Sequence, residues 1–132
     1  MTRILIIDDM PAILNSFQRV LKHHFEVVTI NDSRQALDLL RHDTDFMVIL
    51  CDLLMPELTG MDLFRIVERE LPQLAPRFIF MTAGNYLTEA ADFLDQIDNR
   101  QLAKPISPSQ LRQVLEETVS AQLGEPSVSA SP

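Results

Sequence analysis

The stretch that decides the fold of this chain is residues 4–9, ILIIDD, in which four apolar residues run directly into two carboxylates. An apolar run without polar alternation is typical of a strand that is covered on both faces, as in a parallel sheet. Three further apolar runs end at or just before Asp52, Thr82 and Lys104. Because the carboxyl ends of parallel strands line one crevice of an open sheet, we expect these polar residues to converge.

The remainder of the chain alternates between strand-like and helix-like segments. We predict five strands, at residues 4–7, 25–30, 46–51, 78–81 and 101–103. Apolar residues recur at helical spacing after each strand and predict five helices, which begin near Pro11, Asp32 or Ser33, Thr59 and Gly60, Leu87, and Ser107. The third helix should stop before Pro72, and the last should end at Gly124.

Strands that alternate with helices indicate an α/β fold with a single doubly wound, five-stranded parallel sheet. The rule of right-handed crossovers leaves few topologies for such a sheet. We favour the flavodoxin-like strand order 2-1-3-4-5, which sets the first and third strands side by side. In that order Asp8, Asp9 and Asp52 become neighbours. Three carboxylates and the ammonium of Lys104 would carry a net charge of about minus two, which suits a divalent cation and an anionic substrate.

Bulk composition limits the classes of protein to which the chain can belong. With 132 residues, 46% of them hydrophobic, we expect one folded domain over residues 1–123, and a disordered Ser/Pro-rich tail or linker over residues 124–132. The net charge of −8 argues against a nucleic-acid partner, and no apolar stretch is long enough to span a membrane. The single cysteine, Cys51, lies inside an apolar run, which favours a cytoplasmic location.

A set of short motifs in a fixed order resembles a known family. Asp8 and Asp9, residues 52–56 (DLLMP), Gly60, Thr82 and Ala83, and Lys104 and Pro105 together resemble the signature of receiver domains of two-component response regulators, the CheY-like family. The resemblance covers about residues 3–122. Residues 93–105 also resemble receivers that are appended to hybrid histidine kinases.

The resemblance implies a phosphoacceptor and a metal site. Asp52 would be the phosphoacceptor, since a carboxylate can attack phosphorus in line and form an acyl phosphate. Asp8, Asp9, Asp52 and the backbone carbonyl of Leu54 would hold Mg²⁺ or Mn²⁺, and magnesium prefers such oxygen ligands. Read from the residues alone, Asp8 and Asp9 could be a capping pair for the first helix, and both roles are compatible because the same loop precedes that helix.

Three further residues are implied to act on the phosphoryl group. The hydroxyl of Thr82 and the backbone N–H of Ala83 would bind its oxygens, and Lys104 would offset its charge. A cis peptide bond is implied before Pro105. By sequence pattern alone, Thr82 is equally well explained as a cap of the fourth helix. A solvated surface lysine is the alternative for Lys104, but Ala103 and Pro105 flank it at a strand end and argue against that alternative.

The chain departs from the family pattern at the position of the family's switch ring, a Tyr or Phe three residues before the lysine. That position is Gln101, which is flexible and has less apolar area. We therefore expect residues 82–86 to respond most to phosphorylation, with Tyr86 as a substitute ring. Neither Leu54 nor Gly84 brings a polar side chain to steer a hydrolytic water.

The function implied is that of a phosphoprotein in a two-component system or phosphorelay. The chain would take a phosphoryl group from a sensor histidine kinase or a histidine phosphotransfer protein, and would bind a downstream protein through the fourth helix, fifth strand and last helix. It would catalyse its own phosphorylation and dephosphorylation without being an enzyme for an independent substrate. It would be a monomer or weak dimer, acting alone or as part of a larger protein.

Two other functions are compatible with an α/β fold of this kind. A phosphatase of the haloacid dehalogenase type needs a second acid two residues after its nucleophile, but that position is Leu54. A flavodoxin needs a hydroxyl- and glycine-rich phosphate loop after the first strand, whereas residues 8–11 (DDMP) would repel a phosphate in the absence of a metal. These residues argue against both functions.

Overall fold

The structure, a computed structural model, describes residues 1–83 and 88–124. Its strands are β1 (Arg3–Ile7), β2 (Glu26–Ile30), β3 (Val48–Asp52), β4 (Phe78–Thr82) and β5 (Gln101–Ala103). Its α-helices are α1 (Pro11–Leu21), α2 (Ser33–His42), α3 (Gly60–Glu70), α4 (Thr88–Asp95) and α5 (Pro108–Gln122). A short 3-10 helix (Pro72–Arg77) lies between α3 and β4.

All neighbouring strands are parallel, and the sheet has the order β2-β1-β3-β4-β5. The predicted α/β fold and strand order are therefore confirmed. In the register Ile7 pairs with Cys51, Asp52 with Met81, and Thr82 with Ala103. The carboxyl ends of β1, β3, β4 and β5 consequently lie at one edge of the sheet.

The strands β1, β3 and β4 are buried on both faces because helices cover both sides of the sheet. Alternate strand residues enter two hydrophobic clusters, so that Leu5 packs on one face and Ile4 on the other. Helices α2, α3 and α4 supply the first cluster, and α1 and α5 supply the second. This double coverage explains why the strand sequences are continuously apolar.

Local capping chemistry sets several helix boundaries. The Asp32 side chain caps α2, and the Thr59 hydroxyl caps α3. Ser107 forms a capping box with Gln110 at the start of α5. After α5, Gly124 has a φ of 75°, a conformation that glycine adopts without a steric penalty. The sequence had indicated Ser107 as a cap and Gly124 as the end of the last helix, had left Asp32 and Ser33 as alternatives, and had marked Thr59 only as the start of the third helix.

The structure differs from the sequence prediction in one additional helix and in several strand boundaries, which shift by one or two residues. The 3-10 helix was not predicted, so the described residues contain six helices rather than the five expected. The third strand begins at Val48 rather than at Phe46. The N–H of Phe46 bonds to the carbonyl of Thr44 in a local turn, while its ring is buried beneath the Arg3 guanidinium. The ring's burial, rather than strand pairing, accounts for this apolar position.

Two predictions about the fold fall on residues that lie outside the described ranges. The start of the fourth helix at Leu87 is one, although α4 is described from Thr88. The tail is the other, since residues 125–132 are not described. Within the described ranges, no helix is both long enough and apolar enough to cross a membrane.

Candidate functional site

Three carboxylates meet where β1 and β3 end. One oxygen each from Asp8, Asp9 and Asp52 lies within 4.8 Å of the others. Asp8 is fully buried, Asp52 is 8% exposed, and Asp9 is half-buried. Adjacency of β1 and β3 produces this cluster, because Asp8 and Asp9 follow β1 directly and Asp52 is the last residue of β3.

The buried carboxylate of Asp8 has a partner on each oxygen. Its Oδ1 accepts a hydrogen bond from the backbone N–H of Met10 at 3.0 Å, and its Oδ2 accepts one from Lys104 Nζ at 2.9 Å. A buried charge is tolerated only when it is paired and hydrogen-bonded in this way. Both oxygens of Asp8 are therefore oriented by hydrogen bonds at the buried side of the cluster.

Lys104 links the carboxylates of β1 and β3. Its Nζ lies 2.9 Å from Asp8 Oδ2 and 3.5 Å from Asp52 Oδ2. The backbone N–H of Lys104 donates to the carbonyl of Thr82 at 2.7 Å, which extends the pairing of β5 with β4. The peptide bond between Lys104 and Pro105 is cis. The pairing with Thr82 places the lysine at the carboxyl edge of the sheet, where its ammonium reaches both carboxylates.

Burial and neighbouring charges shift the pKa of two groups in the cluster. Burial raises the pKa of Asp52 to about 6; the Lys104 charge opposes this rise, and the charges of Asp8 and Asp9 add to it. Burial also lowers the pKa of Lys104, but the hydrogen bond to Asp8 and the charge of Asp52 outweigh it, so the pKa of Lys104 is raised. The pKa of Asp52 therefore lies closer to neutral pH than that of an ordinary aspartate.

The other predicted residues have different degrees of exposure. Thr82 is the last residue of β4 and is 6% exposed, whereas Ala83 follows it on the surface. Leu54, two residues after Asp52, is 39% exposed. Gln101 is exposed at the start of β5, and its Nε2 donates to the carbonyl of Leu94 at 3.5 Å. Residues 84–87, which include Tyr86 and Gly84, lie outside the described part of the chain.

The structure adds contributors that the sequence analysis did not identify. The backbone N–H of Met10 donates to the carboxylate of Asp8. Ser33 Oγ lies 3.5 Å from Sδ of the buried Met55, which follows Asp52 by three residues. An apolar groove of about 200 Å³ lies beside Lys104. Its lining comprises Ile13, Ser16, Phe17, Lys104, Pro105, Ile106 and Pro108. The apolar residues Pro105, Ile106 and Pro108, which follow Lys104, were the available signal for this groove.

The donor set fits a divalent cation. Three carboxylates and one ammonium leave an excess of about two negative charges, and carboxylate oxygens are the ligands that hard cations such as magnesium prefer. The close approach of like charges also gives the metal-free cluster an unfavourable energy that a cation would relieve. Asp8, Asp9 and Asp52 could therefore hold a metal ion.

Comparison with known proteins identifies relatives of this fold and site. The family model described as "Response regulator receiver domain" matches residues 4–116. The chain is 31% identical over 112 residues to "Response regulator SaeR" of Staphylococcus aureus (strain USA300), covering 84% of this chain and 47% of that protein. The chain thus spans about half the length of the curated relatives it matches.

Solved structures with the same fold are also similar. A CheY-like response regulator receiver domain protein from Methanospirillum hungatei JF-1 has a TM-score of 0.81 at 26% identity, covering 94% of this chain and 98% of that one. A response regulator receiver domain protein from Clostridium thermocellum has a TM-score of 0.79 at 26% identity, covering 93% and 98%. Over most of its length, the chain therefore belongs to the receiver domain family of two-component response regulators.

Proposed function

We propose that this receiver domain accepts a phosphoryl group from a phosphohistidine donor onto Asp52, with Mg²⁺ or Mn²⁺ bound beside it. One observation carries the proposal. Lys104 lies between Asp8 and Asp52, in a cluster whose three carboxylates approach within 4.8 Å. A nearly buried carboxylate beside a cation and two further acids suits the attack of an anionic nucleophile on a charged phosphoryl group.

The proposed reaction is an in-line transfer. An oxygen of the Asp52 carboxylate forms a bond to phosphorus, the P–N bond of the donor breaks, and the imidazole nitrogen leaves with the electron pair and takes a proton. Because its pKa is about 6, Asp52 is mainly in the nucleophilic carboxylate form at neutral pH. The product is an aspartyl phosphate.

Asp8, Asp9, Asp52 and the Leu54 carbonyl would hold the metal ion. When bound, the ion would neutralise charge on the phosphoryl oxygens. Asp8 is already oriented for this role, because the Met10 N–H and Lys104 hold both of its oxygens. Only Asp9 of the three acids is more than slightly exposed, so it would contact the ion from the solvent side.

Thr82, Ala83 and Lys104 would bind the transferred group. The Thr82 hydroxyl and the Ala83 N–H would each donate to a phosphoryl oxygen, and the Lys104 ammonium would pair with a third. Thr82 and Lys104 are coupled through the backbone, since the N–H of Lys104 donates to the Thr82 carbonyl at 2.7 Å. A movement of Thr82 towards the phosphoryl group would therefore also shift β5.

The partners we propose are a sensor histidine kinase or histidine phosphotransfer protein as donor, and a downstream protein. The apolar groove between α1 and the loop after β5 lies beside Lys104, so a donor helix that packed there would reach the phosphoacceptor. The face formed by α4, β5 and α5 would bind the downstream protein. Gln101 lies on that face and bonds weakly to the end of α4.

In this role the domain modifies only itself. It would catalyse its own phosphorylation and dephosphorylation, without an independent substrate, and would operate in the cytoplasm as a monomer or weak dimer. A phosphoryl group on Asp52 would shift the binding of the downstream protein, which makes the domain a switch.

Intact-mass analysis tests the chemistry. With Mg²⁺ and a small-molecule phosphodonor, the protein should gain one phosphoryl group. Asp52→Asn should abolish the gain, because the amide is not a nucleophile towards phosphorus. Asp38→Asn is the matched control, since Asp38 is 77% exposed on α2, and it should be labelled like the parent. Equal labelling of Asp52→Asn and the parent would show that the acceptor is another residue.

A further inference from the structure

We infer that Gly60 is a positioning residue for the phosphoacceptor site, because any side chain at this position would displace the backbone that carries Asp52 and Leu54. The inference rests on the proposed function. Gly60 is the first residue of α3 and is buried. It does not need to touch the phosphoryl group or the metal ion to act in this way.

The backbone at Gly60 approaches the phosphoacceptor strand too closely for any other residue. A Cβ added at Gly60 would lie 2.2 Å from the carbonyl oxygen of Asp52, and 3.0 Å from both Cα and the carbonyl oxygen of Leu53. Real Cβ atoms essentially never come within 3.0 Å of such atoms, so the gap must widen by at least 0.8 Å. All three neighbouring atoms belong to the backbone, so no side-chain rotation can relieve the clash.

The Asp52 side of this contact is held in place by β4. Asp52 pairs with Met81 in the parallel ladder, and the next residue, Leu53, donates its N–H to the Met81 carbonyl at 3.0 Å. The thiol of Cys51 also approaches the Asp52 carbonyl, at 3.3 Å. The peptide that follows Asp52 therefore cannot retreat without breaking strand pairing.

The helix side of the contact is equally constrained. The hydroxyl of Thr59 caps α3, and Leu63, Phe64 and Val67 are buried on the inner face of that helix. The N–H of Gly60 donates to the Leu53 carbonyl at 2.9 Å, which closes the loop that contains Leu54. A side chain at position 60 must therefore deform this loop, moving the Leu54 carbonyl or the Asp52 carboxylate.

A shift of nearly 1 Å matters more for ligand geometry than for folding. Magnesium requires near-ideal octahedral geometry, and a misplacement of about 1 Å at a reacting group can lower a rate by about 10²-fold. By intrinsic propensity alone, alanine would favour the helix over glycine. A loss of function in Gly60→Ala would thus arise from the close approach and not from helix propensity.

The test compares Gly60→Ala with Val67→Ala, a matched variant on the same helix. Val67 is fully buried, so its truncation destabilises α3 without touching the loop. Mg²⁺ affinity is measured by titration calorimetry and by amide chemical shifts, beside melting temperature and the rate of phosphorylation by a small donor. We expect Mg²⁺ affinity and the rate of phosphorylation to fall at least tenfold in Gly60→Ala. In Val67→Ala, at a melting temperature similar to that of Gly60→Ala, both should fall less than twofold.

Two results would overturn the inference. Mg²⁺ affinity in Gly60→Ala equal to that in Val67→Ala would overturn the positioning role. If Gly60→Ala is unfolded in buffer alone, the titrations are repeated in a stabilising osmolyte such as sucrose, where the same tenfold difference is expected. A parent protein that neither binds Mg²⁺ nor accepts a phosphoryl group would instead refute the proposed function, and this inference with it.

Discussion

Replacing Asp52 by Asn should stabilise the metal-free protein at neutral pH and change its stability little at pH 4. The reason is that Asp52 is nearly buried and lies beside Asp8 and Asp9, so its charged form is disfavoured in the folded state. Lys104, at 3.5 Å, compensates only in part. Asparagine keeps the size of the side chain and can still accept a hydrogen bond from Lys104, but it carries no charge.

The sign and size of the effect follow from the pKa of Asp52, which is about 6 in the fold against an ordinary value of 3.8. A carboxyl with a raised pKa binds its proton more tightly in the folded state, so its ionisation destabilises the fold. The destabilisation caused by ionised Asp52 is absent below about pH 4, grows between about pH 4 and pH 6, and is constant above that range. A shift of about two units corresponds to roughly 3 kcal/mol, and we expect about 2 kcal/mol after solvent screening at the exposed edge.

The assay is urea denaturation with a chelator present, at pH values from 4 to 8, for the parent and Asp52→Asn. The free energy of unfolding of Asp52→Asn should exceed that of the parent by less than about 1 kcal/mol at pH 4 and by about 2 kcal/mol at neutral pH. The larger difference corresponds to an increase of roughly 5–10 °C in melting temperature for a domain of this size. Asp38→Asn is the control, because Asp38 is 77% exposed and its replacement should not produce this rise. A difference that is constant with pH, or a less stable Asp52→Asn at pH 7, would refute the reasoning.

Three further outcomes are expected. Millimolar Mg²⁺ should raise the melting temperature of the parent, because the ion binds the native state. Asp9→Asn should reduce the stabilisation by Mg²⁺ by about 1.4 kcal/mol for each tenfold loss of affinity. Thermal melts in a Mg²⁺ series measure both effects. Lys104→Met should destabilise the metal-free protein by about 3 kcal/mol in urea melts, because it leaves the charge of Asp8 buried without its cation; a neutral effect would contradict the importance of the 2.9 Å contact. Amide exchange with and without a phosphoryl mimic should change more in residues 82–86 than at Gln101, and a change centred on Gln101 would contradict the proposed route of the switch.

Local sequence patterns predicted most of the fold correctly. Continuous apolar runs identified the strands, since a strand covered on both faces needs no polar residue. Caps such as Asp32 and Ser107 located the starts of helices, because their side chains bind the free N–H groups of the first turn. The 3-10 helix at Pro72–Arg77 was missed, since proline is compatible with both a loop and a short helix of this kind.

The candidate site was predicted only in part from its residue types. The order of the strands followed from general rules of topology, and from that order came the expectation that Asp8, Asp9 and Asp52 would meet. The hydrogen bond from Met10 to Asp8 was not predicted, because it depends on the course of one loop. The roles of Thr82, Ala83 and the Leu54 carbonyl in binding a phosphoryl group and a metal ion stay predictions.

The sequence by itself determined which residues are apolar, where the chain alternates between strands and helices, and which polar residues follow each strand, because these features depend on neighbours within a few positions. Only the tertiary structure decided how far each acid is buried, that Lys104 bonds to Asp8 at 2.9 Å and to Asp52 at 3.5 Å, and that Gly60 lies against the Asp52 carbonyl. These contacts join residues up to 96 positions apart. Their distances, and the raised pKa of Asp52, are set by packing of the whole sheet and its helices, which no local pattern encodes.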